Sequence, residues 1–385
     1  MSAMNPSALS ATIDARQSSL IVKWDDGTSA EYAAIWLRDN LPQDRDPHSG
    51  QRLIDVTDIP CEPRMRAATL CGPHLQIEWQ QEPLAASFPL SWLYEQSAAA
   101  QRRSEGEPRL WLQGSGLTRA RDFAQRTVAE IRNDSAARLD WLARLLGDGI
   151  AFLREVPCDD AGILDAVKLV GRVVETNYGL VFDVRAVPQP ENLAYSDRGL
   201  GLHTDNPYRE PVPGFQALHT LMAAPDGGDS LFADGFALAE HLRACHPQEF
   251  ALLTRTAVPF SYRSQQADLQ ARRPLIALDC LGAVTAVHYN SRSIAPLPLA
   301  VRECRSFYHA YRCFAQLLRE RRFQLCTRLE AGDLVVFDNQ RILHGRTGFA
   351  SAKHARHLRG CYLSRDSVCS ETALLRRRLR PEAQQ

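Results

Sequence analysis

Lysine is nearly missing from this chain. Of its 45 basic residues only Lys23, Lys168 and Lys353 are lysines, and the rest are arginines. Both side chains carry the same charge, so the bias reflects codon usage and not a demand of solubility. Net charge is missing too, because 45 acidic residues balance the 45 basic ones. That argues against a protein that coats nucleic acid or anionic membrane through bulk charge. No apolar run approaches the roughly 20 residues needed to span a bilayer. The opening "MSAMNPSALSATIDARQSS" lacks a basic stretch followed by an apolar core, so no secretory signal is expected and a cytoplasmic location is. No CxxC pair occurs among the ten cysteines, which are scattered from Cys61 to Cys369. Such dispersed spacing in a long chain excludes a secreted disulfide framework and predicts buried free thiols. Internal repeats and low-complexity tracts are absent as well.

What is present is a globular composition, 45% apolar over 385 residues, enough for two domains and a sizeable core. All six tryptophans fall between Trp24 and Trp141, so the two ends of the chain have different characters. Residues 1–17 read as a flexible N-terminus. Residues 18–98 read as a small β-rich accessory domain. There "SLIVKWDDGTSAEYAAIWL" alternates around Asp26-Gly27, a hairpin signal, and "HLQIEWQQEPLAASFPLSWL" alternates similarly. Residues 99–115 read as a connection, and 116–385 as the larger, second domain. The pattern is helical from 119 to 148, and again in "AGILDAVKLVGRVVE" and "VRECRSFYHAYRCFAQLLRERR". Between and after these segments, short apolar runs alternate with Gly/Pro turns. The fold expected is mainly β with covering helices, a jelly roll preceded by the small β-rich domain.

The stretch "LGLHTDNPYREPVPG" sets His203 and Asp205 two positions apart. On a strand, such residues point to the same face and could grip one ion. By itself the pattern is weak, and a strand-end histidine beside a turn aspartate is the plain alternative. His344, in "GDLVVFDNQRILHGRTGF", strengthens the metal reading. Two histidines and one carboxylate leave three positions open, the arrangement of non-haem Fe(II) oxygenases. Arg356, twelve residues on, offers a permanently charged fork suited to the far end of a dicarboxylate. A solvated surface charge is the alternative for Arg356. His354 and His357 flank it with no matching carboxylate in the sequence, and His241 and His246 read as surface or capping residues of a helix.

These residues carry a resemblance that covers nearly the whole chain. "IWLRDN", "ETNYG", "NLAYS", "LGLHTDNPYREPVPGFQ", "GGDSLFADGF", "FDNQRILHGR" and "RHLRGCY" follow in the order found in gamma-butyrobetaine dioxygenase and its relatives. The chain is similar to these members of the taurine-dioxygenase-like Fe(II)/2-oxoglutarate oxygenases, which include the 2-trimethylaminoethylphosphonate hydroxylases. The resemblance implies a double-stranded β-helix, with Fe(II) held by His203, Asp205 and His344. It implies that Arg356, assisted by Ser230, holds the distal carboxylate of 2-oxoglutarate. O2 is the second cosubstrate and ascorbate a candidate stimulant. Tyr178, Phe182, Tyr195 and Tyr362 match an aromatic cage for a trimethylammonium group, which offers no hydrogen-bond donor and is met by ring faces. Phe182 stands where some relatives carry tryptophan, and core packing is the alternative for any single ring. Asn192 and Asn290 match positions at the substrate's acid end, and Arg292 stands close enough in sequence to help. Leu41 and Gln43 stand where relatives carry cysteines, so a structural zinc is not expected.

The activity implied is hydroxylation of gamma-butyrobetaine to L-carnitine, a step of carnitine biosynthesis. Hydroxylation of 2-trimethylaminoethylphosphonate or another betaine is the alternative. A non-catalytic jelly-roll betaine-binding protein is the rival from another class. The partner expected is a small quaternary ammonium compound, with no nucleic acid and no membrane. The resemblance also suggests a homodimer.

Overall fold

The computed structural model describes residues 6–83, 85–97, 108–111, 115–185, 197–349 and 356–379. The chain divides into two compact units, Met1–Glu107 and Pro108–Gln385. The connection expected over 99–115 lies largely outside the described residues.

The first unit holds two three-stranded antiparallel sheets. One is built from β1 (Ala8–Ile13), β2 (Ser19–Trp24) and β3 (Ser29–Ala33). The other is built from β4 (Met65–Cys71), β5 (His74–Trp79) and β6 (Ala85–Pro89). Short helices α1 (Ala34–Asp39) and α2 (Leu90–Glu95) follow β3 and β6. Alternation drives this unit: Leu20, Val22 and Trp24 of β2 and Leu75, Ile77 and Trp79 of β5 are all buried in one core. The flexible terminus expected over 1–17 is corrected here, because residues 8–13 form β1. Ala8, Ala11 and Ile13 pack against the same core, which compensates for ordering the strand.

The second unit is a double-sheet sandwich with covering helices. Its elements run β7 (Ala124–Thr127), α3 (Val128–Asn133), α4 (Ser135–Asp148), β8 (Ile150–Arg154), α5 (Gly162–Val167), β9 (Val173–Val174) and β10 (Phe182–Arg185). Next come β11 (Leu200–His203), β12 (Phe215–Met222), β13 (Ser230–Asp234), α6 (Gly235–Cys245), α7 (Pro247–Arg255), β14 (Val258–Arg263) and β15 (Asp268–Arg273). The remainder is β16 (Ile276–Leu278), β17 (Val284–Val287), α8 (Val301–Leu317), β18 (Leu325–Thr327), β19 (Leu334–Asp338), β20 (Ile342–Arg346), β21 (His357–Leu363) and α9 (Arg365–Arg378). The major sheet runs β10-β21-β12-β19-β8-β7, with β9 also on β21; the minor sheet runs β11-β20-β13-β18. Only the β7–β8 pair of the major sheet is parallel.

The period of two decides which residues meet. Leu334 and Val336 of β19 turn to the core under α4, α5 and α9, while Val335 and Phe337 turn inward to meet Phe232 and Ile342 of the minor sheet. Each large side chain fully buried in this way contributes about 1.5–3 kcal/mol. The helical stretch expected from 119 to 148 is corrected: β7 occupies Ala124–Thr127, and the helix begins only at Val128 and is broken in two. Thr127 caps α3 through the amide of Glu130, and Asp134 caps α4 through the amides of Ala136 and Ala137. Buried at the sandwich edge, Arg341 pairs with Asp234 at 2.8 Å and donates to the carbonyls of Gly147 and Arg109. The charges of "FADGF" and "DNQR" thus hold each other.

One further expectation is adjusted. The ten cysteines are free, but only Cys361 is buried; most sit on outward-facing positions, such as Cys71 at the end of β4. Among the described residues no helix is long and apolar enough to cross a membrane.

Candidate functional site

β11 and β20 pair antiparallel with His203 directly opposite His344. The register thus brings the two imidazoles side by side, with ring centroids 4.3 Å apart and planes tilted by 42°. Asp205 lies two residues beyond the ladder. Its Oδ1 is 3.2 Å from His203 Nε2, and its Oδ2 is 3.7 Å from His344 Nε2. The three ligand atoms all lie within 4.8 Å of one another. His203 donates from Nδ1 to the Gly201 carbonyl at 2.9 Å, which turns its Nε2 towards Asp205. Burial, then the neighbouring His203 ring, pushes His344 down to about 3, so this imidazole is neutral and can ligate. Its Nδ1 is buried with no hydrogen-bond partner among the described residues, so only packing and a ligand would orient the ring. Burial works against the Asp205 carboxylate, but the His344 and His203 rings and the Tyr362 hydroxyl hold it well below the ordinary range. Two imidazole nitrogens and one carboxylate converging from one side fit a divalent transition metal such as iron.

Asp205 is held from behind. The Asn339 side chain accepts from the Asp205 amide at 2.7 Å and donates to the Asp205 and Pro213 carbonyls at 3.0 and 3.2 Å. Tyr362 donates to Asp205 Oδ2 at 2.9 Å.

The cluster opens into a cavity of about 420 Å³ that Ser230, Arg356, Asn290 and Arg292 also line. Arg356 is 7% exposed. Burial pulls its guanidinium down to about 10, Arg346 adds to the effect and Asp229 opposes it. Gly228 explains part of the "GGDS" motif: a Cβ there would lie 2.9 Å from Arg356 Cδ, at a backbone φ of +70°. Without that glycine the arginine stem would be displaced.

On the same cavity, Phe182 packs against Tyr362 with centroids 5.2 Å apart, and Tyr178 lies 6.1 Å from Phe182. A Cβ on Gly360 would come within 2.5 Å of the Phe182 ring, so the ring lies across β21 in space that only glycine leaves open. Three of the four expected cage residues are thus gathered. Tyr195 and Asn192 lie outside the described residues.

Asn290 is partly engaged already. It donates to the Thr204 carbonyl at 3.1 Å and accepts from the Arg292 amide at 3.2 Å, so it braces the loop beneath the cluster and keeps one N–H for the cavity. Burial lowers the Arg292 guanidinium, with Asp205 and Tyr208 opposing.

Among the lining residues that sequence reasoning missed are Tyr208, Tyr262, Gln216 and Arg346. Tyr208 sits inside the "HTDNPY" motif and could have been noticed; its ring stacks on Tyr262 at 5.2 Å. Tyr262 arrives from the β14–β15 hairpin, which carries no motif. Arg346 follows His344 by two residues and so shares its face of β20. His357 does find a carboxylate, Asp183 at 2.7 Å, on the neighbouring strand β10.

Residues 114–362 match the family described as taurine catabolism dioxygenase TauD, TfdA family, and residues 11–94 match gamma-butyrobetaine hydroxylase-like, N-terminal. A gamma-butyrobetaine dioxygenase of Pseudomonas sp. (strain AK-1) is 34% identical, over 94% of this chain and 94% of its own length. The human gamma-butyrobetaine dioxygenase is 28% identical over 93% and 94%, respectively. A trimethyllysine dioxygenase of Meyerozyma guilliermondii is 27% identical over 92% of each chain.

Proposed function

Since the chain belongs to the TauD/TfdA dioxygenase family, we propose that it hydroxylates a small trimethylammonium compound, with gamma-butyrobetaine as substrate and L-carnitine as product. It is a dioxygenase that uses Fe(II), 2-oxoglutarate and O2. O2 is the oxidant: bound iron would activate it, and 2-oxoglutarate would supply two electrons and leave as succinate and CO2. In this reading the chain's own residues do the rest. His203 and His344 offer ring nitrogens and Asp205 an ionised oxygen. Arg356 clamps the far carboxylate of 2-oxoglutarate, with Ser230 beside it. Tyr178, Phe182 and Tyr362 enclose the cation, and the described walls keep bulk water from the reacting carbon.

One observation carries the reading. Tyr362 belongs to both halves of the cavity: its ring packs on Phe182 and its hydroxyl donates to Asp205. A cation held on that ring is therefore held next to a metal ligand. The names of the relatives, which act on gamma-butyrobetaine and trimethyllysine, point to the same substrate class.

A second reading rests on Arg292. This cation lines the cavity and would meet the acid end of the substrate, where a phosphonate carries more negative charge than a carboxylate. Hydroxylation of 2-trimethylaminoethylphosphonate follows from it. Succinate release with Fe(II), 2-oxoglutarate and each compound in turn separates the two readings. Turnover with gamma-butyrobetaine well above the phosphonate supports the first, and the reverse order replaces it with the second. If neither compound stimulates release above the substrate-free rate, both are refuted.

A further inference from the structure

A buried polar side chain on β12 borders the cavity and has had no role so far. Gln216 is on β12, is 2% exposed and lines the cavity. Its neighbours Phe215 and Ala217 turn to the helix-covered core, so the strand period sends Gln216 inward. Register sets it between Tyr362 on β21 and Phe337 on β19. Tyr362 holds Asp205, and the Phe337 ring lies 4.9 Å from the His344 ring. The carboxamide is thus flanked by two side chains that touch candidate metal ligands. Yet its Oε1 is buried with no hydrogen-bond partner among the described residues. An orphaned buried amide destabilises a fold, and an apolar residue would fill the position without that penalty. Two residues along the same strand, Leu218 does so.

The surroundings indicate what the amide meets. A trimethylammonium group has no polar hydrogen for the oxygen to accept. The cavity instead carries the guanidiniums of Arg292, Arg346 and Arg356, which suit anionic oxygens. A carboxamide can turn its N–H groups to such an oxygen, since its two ends are interchangeable in shape. We propose that Gln216 is a binding residue for the 2-oxo acid, its carboxamide N–H donating to a carboxylate oxygen of the acid that the Arg356 cavity takes. The inference rests on the 2-oxoglutarate reading above and adds a residue to it.

Gln216→Met tests it, because methionine keeps the length and removes both polar atoms. Calorimetry of Mn(II)-loaded protein under anaerobic conditions reads 2-oxoglutarate binding without turnover, and a thermal scan of metal-free protein reads the fold. The expected result is binding about 10- to 100-fold weaker, as for a lost hydrogen bond to an ionised group. The thermal midpoint should be equal or higher, since an orphaned amide is gone, and gamma-butyrobetaine affinity should be unchanged. Equal 2-oxoglutarate binding by both proteins overturns this inference alone. So does weakened acid binding with a lowered midpoint, which would make Gln216 a structural residue. If the wild-type protein binds no 2-oxoglutarate, this inference and the proposed function fall together.

Discussion

Tyr362→Phe separates the metal from the cage in a single variant. The change keeps the ring that packs on Phe182 and removes only the hydroxyl that donates to Asp205 Oδ2 at 2.9 Å. A hydrogen bond to an ionised group is worth about 1.5–3 kcal/mol when buried. The Asp205 side chain is 20% exposed, so water can replace part of the lost bond and the lower end applies. About 1.5 kcal/mol is roughly a tenfold loss of metal affinity. Competition against a chelating dye with Mn(II) or Fe(II) reads this directly. The affinity for gamma-butyrobetaine, measured separately on metal-saturated protein, should move by less than about twofold, because phenylalanine keeps a ring face for the cation. Unchanged metal affinity with weakened betaine binding would refute the reasoning, because the hydroxyl would then serve the substrate and not the ligand carboxylate.

The opposite division is expected for Phe182→Ala, with betaine binding weaker by about 1–2 kcal/mol and metal affinity unchanged in the same two assays. Arg341→Met leaves Asp234 buried without its ion-pair partner and should cost about 3–5 kcal/mol in urea unfolding; a loss below about 1 kcal/mol would show the pair to be dispensable. His288 gives the fold a pH dependence. Burial pushes it down to about 4, although its bond to the Pro274 carbonyl opposes this and Arg273 adds to it. The unfolded chain takes up a proton near 6.5 that the folded chain refuses until about pH 4, so stability is full above 6.5 and falls as pH drops towards 4, by about 3 kcal/mol in all. His288→Gln should lose that part of the slope, and an identical pH profile would show that His288 does not titrate between the two states.

The chemistry of this chain was legible wherever it lies within a few residues of a motif. His203, Asp205, His344 and Arg356 stand in short stretches whose order along the chain is itself a signal, and the structure gathers them in one cavity. The same holds for Tyr178, Phe182 and Tyr362. Residues whose meaning depends on register were not legible. Gln216 acquires its surroundings only through pairing with Tyr362, 146 positions later, and with Phe337. Asn339 clamps Asp205 across 134 positions. Tyr262 reaches the cavity because its hairpin folds over it, which no local spacing encodes. At the N-terminus, Ala8, Ala11 and Ile13 are too small and too few to read as a strand until β2 is there to pair with them.

The ladder that sets His203 opposite His344 makes the metal cluster a clasp on the chain. The segment between the two histidines, about 140 residues long, includes β12 and β13 and all of α6, α7 and α8. In the unfolded chain the two imidazoles are far apart, and bringing them together has an entropy penalty that grows only slowly with the length of the loop. An ion gripped by both rings would therefore bind the folded state and scarcely the unfolded one. By mass action it would tighten the whole sandwich, by about 2.7 kcal/mol when free ion is a hundredfold above its dissociation constant. Iron supply in the cell would then set how long this protein lasts as well as how fast it works.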